Sequence, residues 1–282
     1  MTCLRVGQVD YINCLPVYHA LEDGLLVDNL ELVKGTPATL NKMFLNGELD
    51  VTPMSSIEYA RNNDRCIILP NLSISADGKE GSILLFSHLP VIEMEGKKVC
   101  VSTSSATSVA LLRILFEHYY HVEVEIMPAE PDLNSMLASS DGALLIGDDA
   151  MCAHQKMQQE KQDLLVTDLG EAWKEFTGEK MVYAVWVVQS ALAEANPEIM
   201  SRISNLLIES QALGLDDRKV LAEKAHQRTK LPREIITDYL DTIEHKLGDD
   251  ECRALNTFFD FAYKSGLTDE RIKLNIWCNN IA

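Results

Sequence analysis

Short apolar runs of strand length alternate with helix starts from residue 4 to about residue 188. That repeat limits what the chain can fold into more than any other feature. Runs at 4–9, 30–33, 49–52, 66–69, 82–86, 97–101, 122–127, 143–146, 164–167 and 182–188 read as strands. Thr36-Pro37 supplies an N-cap with proline in the first turn, and Gly47 ends that helix; Ser55-x-x-Glu58 has the spacing of a capping box. Asp168 starts a helix that Gly178 closes. Repeated strand–helix units of this kind pack as a mostly parallel sheet covered by helices. From Asn196-Pro197 the pattern turns helical and stays so to about residue 264. The apolar strands at 82–86 and 182–188 suit crossings between two units. They predict a discontinuous layout, with 1–87 plus 189–282 forming one lobe and 88–188 an inserted second lobe.

With 282 residues, the chain is long enough for two domains that need no disulfide or structural metal. Lys and Arg number 25 against 43 Asp and Glu, a formal charge of −18. This argues against nucleic acid and anionic membrane as partners, since both need basic surfaces. No stretch has the length and apolarity of a membrane span. The seven cysteines are odd in number, scattered and without a C-x-x-C, and no secretory leader precedes Met1; both features lead to the expectation of a cytoplasmic protein. No useful metal-ligand spacing and no Gly-rich phosphate loop is present, so no metal is expected, and the lack of a G-x-S-x-G argues against a nucleophile elbow.

Chemistry concentrates at helix starts after strands. In open α/β sheets ligands bind there, where free backbone N–H groups and the helix dipole favour anions. Thr36, Ser55-Ser56 and Ser104-Ser105-Ala106-Thr107-Ser108 occupy such positions. Ordinary capping accounts for any one of them, but four hydroxyls in five residues exceed what a cap uses. Asn13, in Tyr11-Ile12-Asn13-Cys14-Leu15-Pro16, reads equally well as an N-cap and as an amide facing a cleft. Ser82 follows Gly81 at a strand start. Asp148-Asp149 fits either first-turn helix acids or an acid/base pair. Trp173, Trp186 and Trp277 read as core, and the C-terminal helices as solvated packing helices.

Together these motifs resemble a known family. Tyr11-Ile12-Asn13-Cys14-Leu15-Pro16 is similar to its Y-[IL]-N-x-x-P opening. Gly35-Thr36-Pro37-Ala38-x-Leu40-Asn41 and Asp50-Val51-Thr52-Pro53-Met54-Ser55-Ser56 resemble its second and third motifs. Ser73-Ile74-Ser75-Ala76-Asp77-Gly78 with Gly81-Ser82, Ser105-Ala106-Thr107-Ser108, Ile146-Gly147-Asp148, Asp168-Leu169-Gly170-Glu171-x-Trp173 and Ala184-Val185-Trp186 follow in order. The family is the chorismate dehydratase of the futalosine route to menaquinone. The resemblance implies an α/β fold of the type II periplasmic-binding-protein kind: two α/β lobes, a central cleft and a helical C-terminal region. It also implies the conversion of chorismate to 3-[(1-carboxyvinyl)oxy]benzoate and water without a cofactor. Asn13 and Ser82 take the catalytic roles by this resemblance. Tyr11, Ser55, Ser56, Ser105, Ala106, Thr107, Ser108 and Asp148 form the substrate site. Lys79-Glu80 departs from the more apolar residues expected before Gly81. The alternatives are a sister 1,4-dihydroxy-6-naphthoate synthase, whose expected Ser-Pro-Cys-Pro opening and histidine base are missing from the cleft motifs, and a non-catalytic anion-binding protein.

Overall fold

A computed structural model describes residues 3–26 and 29–278. Two five-stranded sheets organise it. The first holds β1 (Leu4–Val9), β2 (Leu30–Gly35), β3 (Val51–Ser55), β4 (Cys66–Ala76) and β10 (Met181–Gln189), in the order β2-β1-β3-β10-β4. The second holds β5 (Ile83–Ser87), β6 (Lys98–Ser102), β7 (Glu125–Ala129), β8 (Gly142–Ile146) and β9 (Leu165–Asp168), in the order β7-β6-β8-β5-β9.

The strand–helix repeat produces the parallel pairs β1–β2, β1–β3, β6–β7 and β6–β8. Both sheets are nevertheless mixed. β5 runs antiparallel to β8 and β9, and β10 runs antiparallel to β3 and β4. These are the two strands with which the chain enters a sheet after leaving the other one. The expected lobe boundaries at 87/88 and 188/189 therefore need correction. β5 hydrogen-bonds into the second sheet and β10 into the first, so the chain crosses before each of these strands. We place the boundaries within 77–82 and 178–180.

Local sequence explains the helices that frame the gap. Thr36 caps α2 (Pro37–Leu45) by accepting the Thr39 amide at 3.3 Å. Ser105 caps α4 (Ala106–Leu115) by accepting the Ser108 amide. Asp168 caps α7 (Leu169–Thr177), which ends at Gly178 with φ +73. The capping box expected at Ser55 does not form at the start of α3 (Ser56–Arg61). Instead the Ser55 hydroxyl accepts the Asn41 side-chain amide at 3.1 Å. β4 extends well past the expected 66–69 because it lies at the sheet edge, where Pro70 and the left-handed Asn71 (φ +63) are tolerated at a cost of register shifts against β10.

Trp173 and Trp186 are fully buried, as the sequence predicts, whereas Trp277 is half-buried. Trp186 donates to the Tyr18 hydroxyl at 3.0 Å, which donates to the Gly7 carbonyl at 2.7 Å, so a buried indole and phenol lock α1 (Leu15–Glu22) onto the first sheet. The tail contributes α9 (Pro197–Asp216), α10 (Arg218–Thr229), α11 (Arg233–Thr242) and α12 (Asp249–Lys264). α9 packs against α1 so closely that a Cβ at Gly214 would lie 2.2 Å from the Pro16 carbonyl oxygen. Among the described residues no helix is long and apolar enough to cross a membrane.

Candidate functional site

The crossing segment between β4 and β5 carries the centre of the site. Asp168 anchors it. One carboxylate oxygen accepts the Glu80 and Gly81 amides at 3.1 and 2.6 Å; the other accepts the Gly170 and Glu171 amides at 2.9 and 3.1 Å. A helix cap thereby also fixes the path of the chain between sheets. The Ser82 carbonyl accepts the Gly147 amide at 2.7 Å, which joins the segment to the start of α6 (Gly147–Glu160).

Between the sheets lies a cavity of about 70 Å³. Tyr11, Asn13, Ser55, Ser82, Ser105 and Ser108 line it, with Glu80, Tyr183, Cys14 and Pro37 and the apolar Ile74, Ile83 and Ile146. No Lys, Arg or His is in this lining. Two grooves of about 730 and 670 Å³ are larger but lie open along the surface. The small cavity brings together strand ends and helix starts from both sheets, where α/β folds bind ligands.

Six of the ten expected site residues thus meet in one place. Asn13 is not a cap, because Cys14 occupies the N-cap position of α1. Its side-chain oxygen is buried without a hydrogen-bond partner and its backbone carbonyl accepts from His245 Nε2 at 2.7 Å. The Ser55 hydroxyl, having accepted from Asn41, keeps its own proton to give. Ser105 and Ser108 hydroxyls lie 3.2 Å apart at the start of α4.

Ser56, Ala106, Thr107 and Asp148 lie outside the lining. The Ser56 hydroxyl donates to the Val182 carbonyl at 2.6 Å, and Thr107 accepts the Ile57 amide at 3.2 Å, tying α4 to α3. Both hydroxyls serve the packing of helices. Asp148 accepts the Ile12 amide at 3.0 Å and pairs with Arg228 at 2.8 Å. It is a first-turn acid of α6 that links the two sheets.

Sequence reasoning passed over Glu80, Tyr239 and His245. Glu80 is fully buried. Its carboxylate accepts the Ser82 amide at 2.6 Å and the Ser82 hydroxyl at 2.7 Å, and the Tyr239 hydroxyl lies 3.3 Å away. Burial raises its pKa to about 7, against the lowering effect of the Ser82 and Tyr239 donors. The signal was in the sequence, as a charged residue where apolar ones were expected. Tyr239 and His245 come from the tail, so the C-terminal helices are more than solvated packing. Burial lowers His245 to about 4, so the ring is neutral and its Nε2–H donates to Asn13. Burial also pushes the Cys14 thiol far above its ordinary value, which fits packing and not a nucleophile. Tyr11 rises to about 12 for the same reason. Among the described residues no cluster of three or more His, Cys, Asp or Glu could hold a metal.

Solved structures share this architecture. An Archaeoglobus fulgidus protein superposes with a TM-score of 0.79 at 20% identity, covering 94% of this chain and 98% of that one. The periplasmic aliphatic sulphonate binding protein of Escherichia coli gives 0.69 at 15% identity, covering 98% and 92%. The fold is that of the periplasmic binding proteins. Among curated proteins, the chain is 28% identical over 268 residues to the chorismate dehydratase of Thermus thermophilus, covering 90% of this chain and 93% of the relative. It is 29% identical over 182 residues to that of Campylobacter jejuni, covering 63% and 64%. A third relative, at 29% over 183 residues, is the 1,4-dihydroxy-6-naphthoate synthase of Thermus thermophilus. A family model described as menaquinone biosynthesis matches residues 4–264, so this chain belongs to the menaquinone biosynthesis family.

Proposed function

We propose that this chain is a lyase that dehydrates chorismate to 3-[(1-carboxyvinyl)oxy]benzoate and water, the first step of the futalosine route. One observation carries the reading: the unpartnered Asn13 side-chain oxygen and the Ser82 hydroxyl border the same cavity, which no cationic side chain lines. Near-complete alignment with a relative named chorismate dehydratase supports it.

Chorismate is a dianion with a cyclohexadiene ring. Loss of the ring hydroxyl and a ring proton makes the ring aromatic, so the reaction is strongly downhill and the protein's task is to orient the substrate and stabilise charge. The hydroxyls of Ser55, Ser105 and Ser108, with the amides at the start of the ten-residue helix α4, offer uncharged donors to carboxylates. In this reading Asn13 holds the leaving hydroxyl, whose O–H can donate a hydrogen bond to the unpartnered Asn13 side-chain oxygen. On the same reading Ser82, which borders the same cavity, hydrogen-bonds the reacting region of the ring. The seven unpaired cysteines fit a reducing, cytoplasmic setting.

The test is direct. Purified protein incubated with chorismate should remove the diene absorbance and release a substituted benzoate, identified by mass. Tight binding of unchanged chorismate would favour a binding protein. Conversion of the later cyclic futalosine-type substrate would favour the sister synthase.

A further inference from the structure

One helix from each lobe borders the surface groove of about 670 Å³. α2 turns Ala38, Asn41, Lys42 and Leu45 to it, and α4 turns Ser105, Ala106, Val109, Ala110 and Arg113. Residues three and four apart share one face of a helix, so each set is a stripe and the groove runs along both. Its inner end meets the cavity. Ser105 lines both spaces, Pro37 at the start of α2 lines the cavity, and Asn41 in the groove donates to Ser55 in the cavity at 3.1 Å. Lys42 and Arg113 stand at the other end, in the last turns of their helices, roughly 8–12 Å further out at 1.5 Å per residue. Between the two ends Val101, Ile126, Pro128 and Leu267 add apolar surface. The groove carries Lys42, Arg61 and Arg113 against a single carboxylate, Glu58, which is already paired with Arg61 at 2.7 Å. Lys42 and Arg113 are exposed, and among the described residues neither side chain has an ion-pair or hydrogen-bond partner. Acidic residues outnumber basic ones 43 to 25 in this chain, so two unpaired cations on one groove depart from its average surface. The other large groove shares Arg113 but is lined by Glu95, Glu117 and Glu123.

We propose that the groove between α2 and α4 is the approach path of the dianionic substrate, with Lys42 and Arg113 drawing its carboxylates in and the apolar walls carrying its ring. The inference rests on the dehydratase reading. It answers a physical need. A chain of charge −18 repels a dianion, and at 0.15 M salt charges beyond about 8 Å are screened, so only cations beside the path can counter that repulsion. The cavity has no cation in its lining, so the attraction must act before the substrate reaches it. α2 follows a strand of the first sheet and α4 a strand of the second, so parting of the lobes widens the groove at the end that Asn41 and Ser105 close. Cations outside and uncharged donors inside divide the work. The first raise the rate of capture; the second hold the ring for reaction. Lys42 and Arg113 lie outside the cavity lining and take no part in making or breaking bonds.

The test changes charge on an exposed rim, where folding is not at stake. Lys42→Glu/Arg113→Glu should lower kcat/KM for chorismate about tenfold at low salt, through KM, with kcat within about twofold of the parent. Added salt should close that gap: kcat/KM of the parent should fall as salt rises, and that of the variant should not. Lys42→Arg/Arg113→Lys keeps both charges and should match the parent. Lys156→Glu/Lys219→Glu adds the same negative charge at exposed positions outside the groove and should leave kcat/KM within about twofold of the parent. A Lys42→Glu/Arg113→Glu enzyme with the parent's kcat/KM and salt slope would overturn the inference while leaving the dehydratase reading intact. An equal loss in Lys156→Glu/Lys219→Glu would overturn it too, since net charge alone would then account for the effect, and so would a loss that falls on kcat. A parent protein that leaves chorismate untouched would reject the dehydratase reading itself, and the approach path with it.

Discussion

The Arg228 guanidinium lies 2.8 Å from the Asp148 carboxylate and reaches Asp10 with its other nitrogen at 2.7 Å, so one side chain of the C-terminal tail ties the start of α6 to the end of β1. Asp148 also accepts the Ile12 amide next to Asn13. Burial raises the Asp148 pKa, and Arg228 works against that rise. The cavity between the sheets is small, about 70 Å³ against the ~300–1,000 Å³ of usual ligand pockets, so a ligand enters only if the lobes part. Arg228→Ala should favour the parted form. We expect a larger radius of gyration by X-ray scattering and about fivefold weaker binding of chorismate, the equivalent of about 1 kcal/mol. Scattering curves that match those of the parent would sink the latch.

Asn13→Ala and Ser82→Ala should differ in stability although both lose turnover. The Asn13 side-chain oxygen has no partner, so its removal should cost under about 1 kcal/mol of folding free energy. Ser82→Ala strips Glu80 of a buried donor and should cost about 1–3 kcal/mol. Each should lower kcat about 100-fold or more. Denaturant titration and steady-state rates check both. Near-native rates in the two variants would refute the site.

Glu80 and His245 pull the acid stability of the fold in opposite directions. The Glu80 pKa is raised from 4.5 to about 7, so its contribution is fully present below pH 4.5 and is lost as pH rises towards 7. The His245 pKa is lowered from 6.5 to about 4; the unfolded chain binds that proton first, so stability is full above pH 6.5 and is lost as pH falls towards 4. Between about pH 4.5 and 6.5 the two slopes offset one another. Thermal midpoints of the parent should be nearly flat across that window. Glu80→Gln should expose a rise with pH, and His245→Gln a fall. Three parallel curves would contradict the assignment.

Gly147 has φ +58, and a Cβ there would lie 3.1 Å from the Tyr11 ring. Gly147→Ala therefore strains the backbone by about 1–2 kcal/mol and presses on an aromatic wall of the cavity. The expected outcome is a lower melting temperature together with weaker ligand binding, read by calorimetry. Unchanged affinity would show that Tyr11 yields without consequence to the site.

The strand–helix repeat, the caps at Thr36 and Asp168 and the hydroxyl cluster of Ser105 and Ser108 were legible from residue order, because each cap or pair depends on neighbours two or three positions away. The same locality misled at Ser55, where a capping-box spacing gave way to the Asn41 amide from another helix. Asn13 could not be resolved by spacing, since its role as cap or cleft residue depends on what packs over it.

Residue order thus determined the fold class, the family and the strand ends at which a site would lie, since periodicity and capping are local. Only tertiary structure decided which strands change sheets, and that Ser56 and Thr107 spend their hydroxyls on packing while Ser55 and Ser108 do not. It also decided that Tyr239 and His245 return from the tail to Ser82 and Asn13, 157 and 232 residues away along the chain. Burial and long-range hydrogen bonds set the proton affinity of Glu80, and neither is written in any short window of sequence.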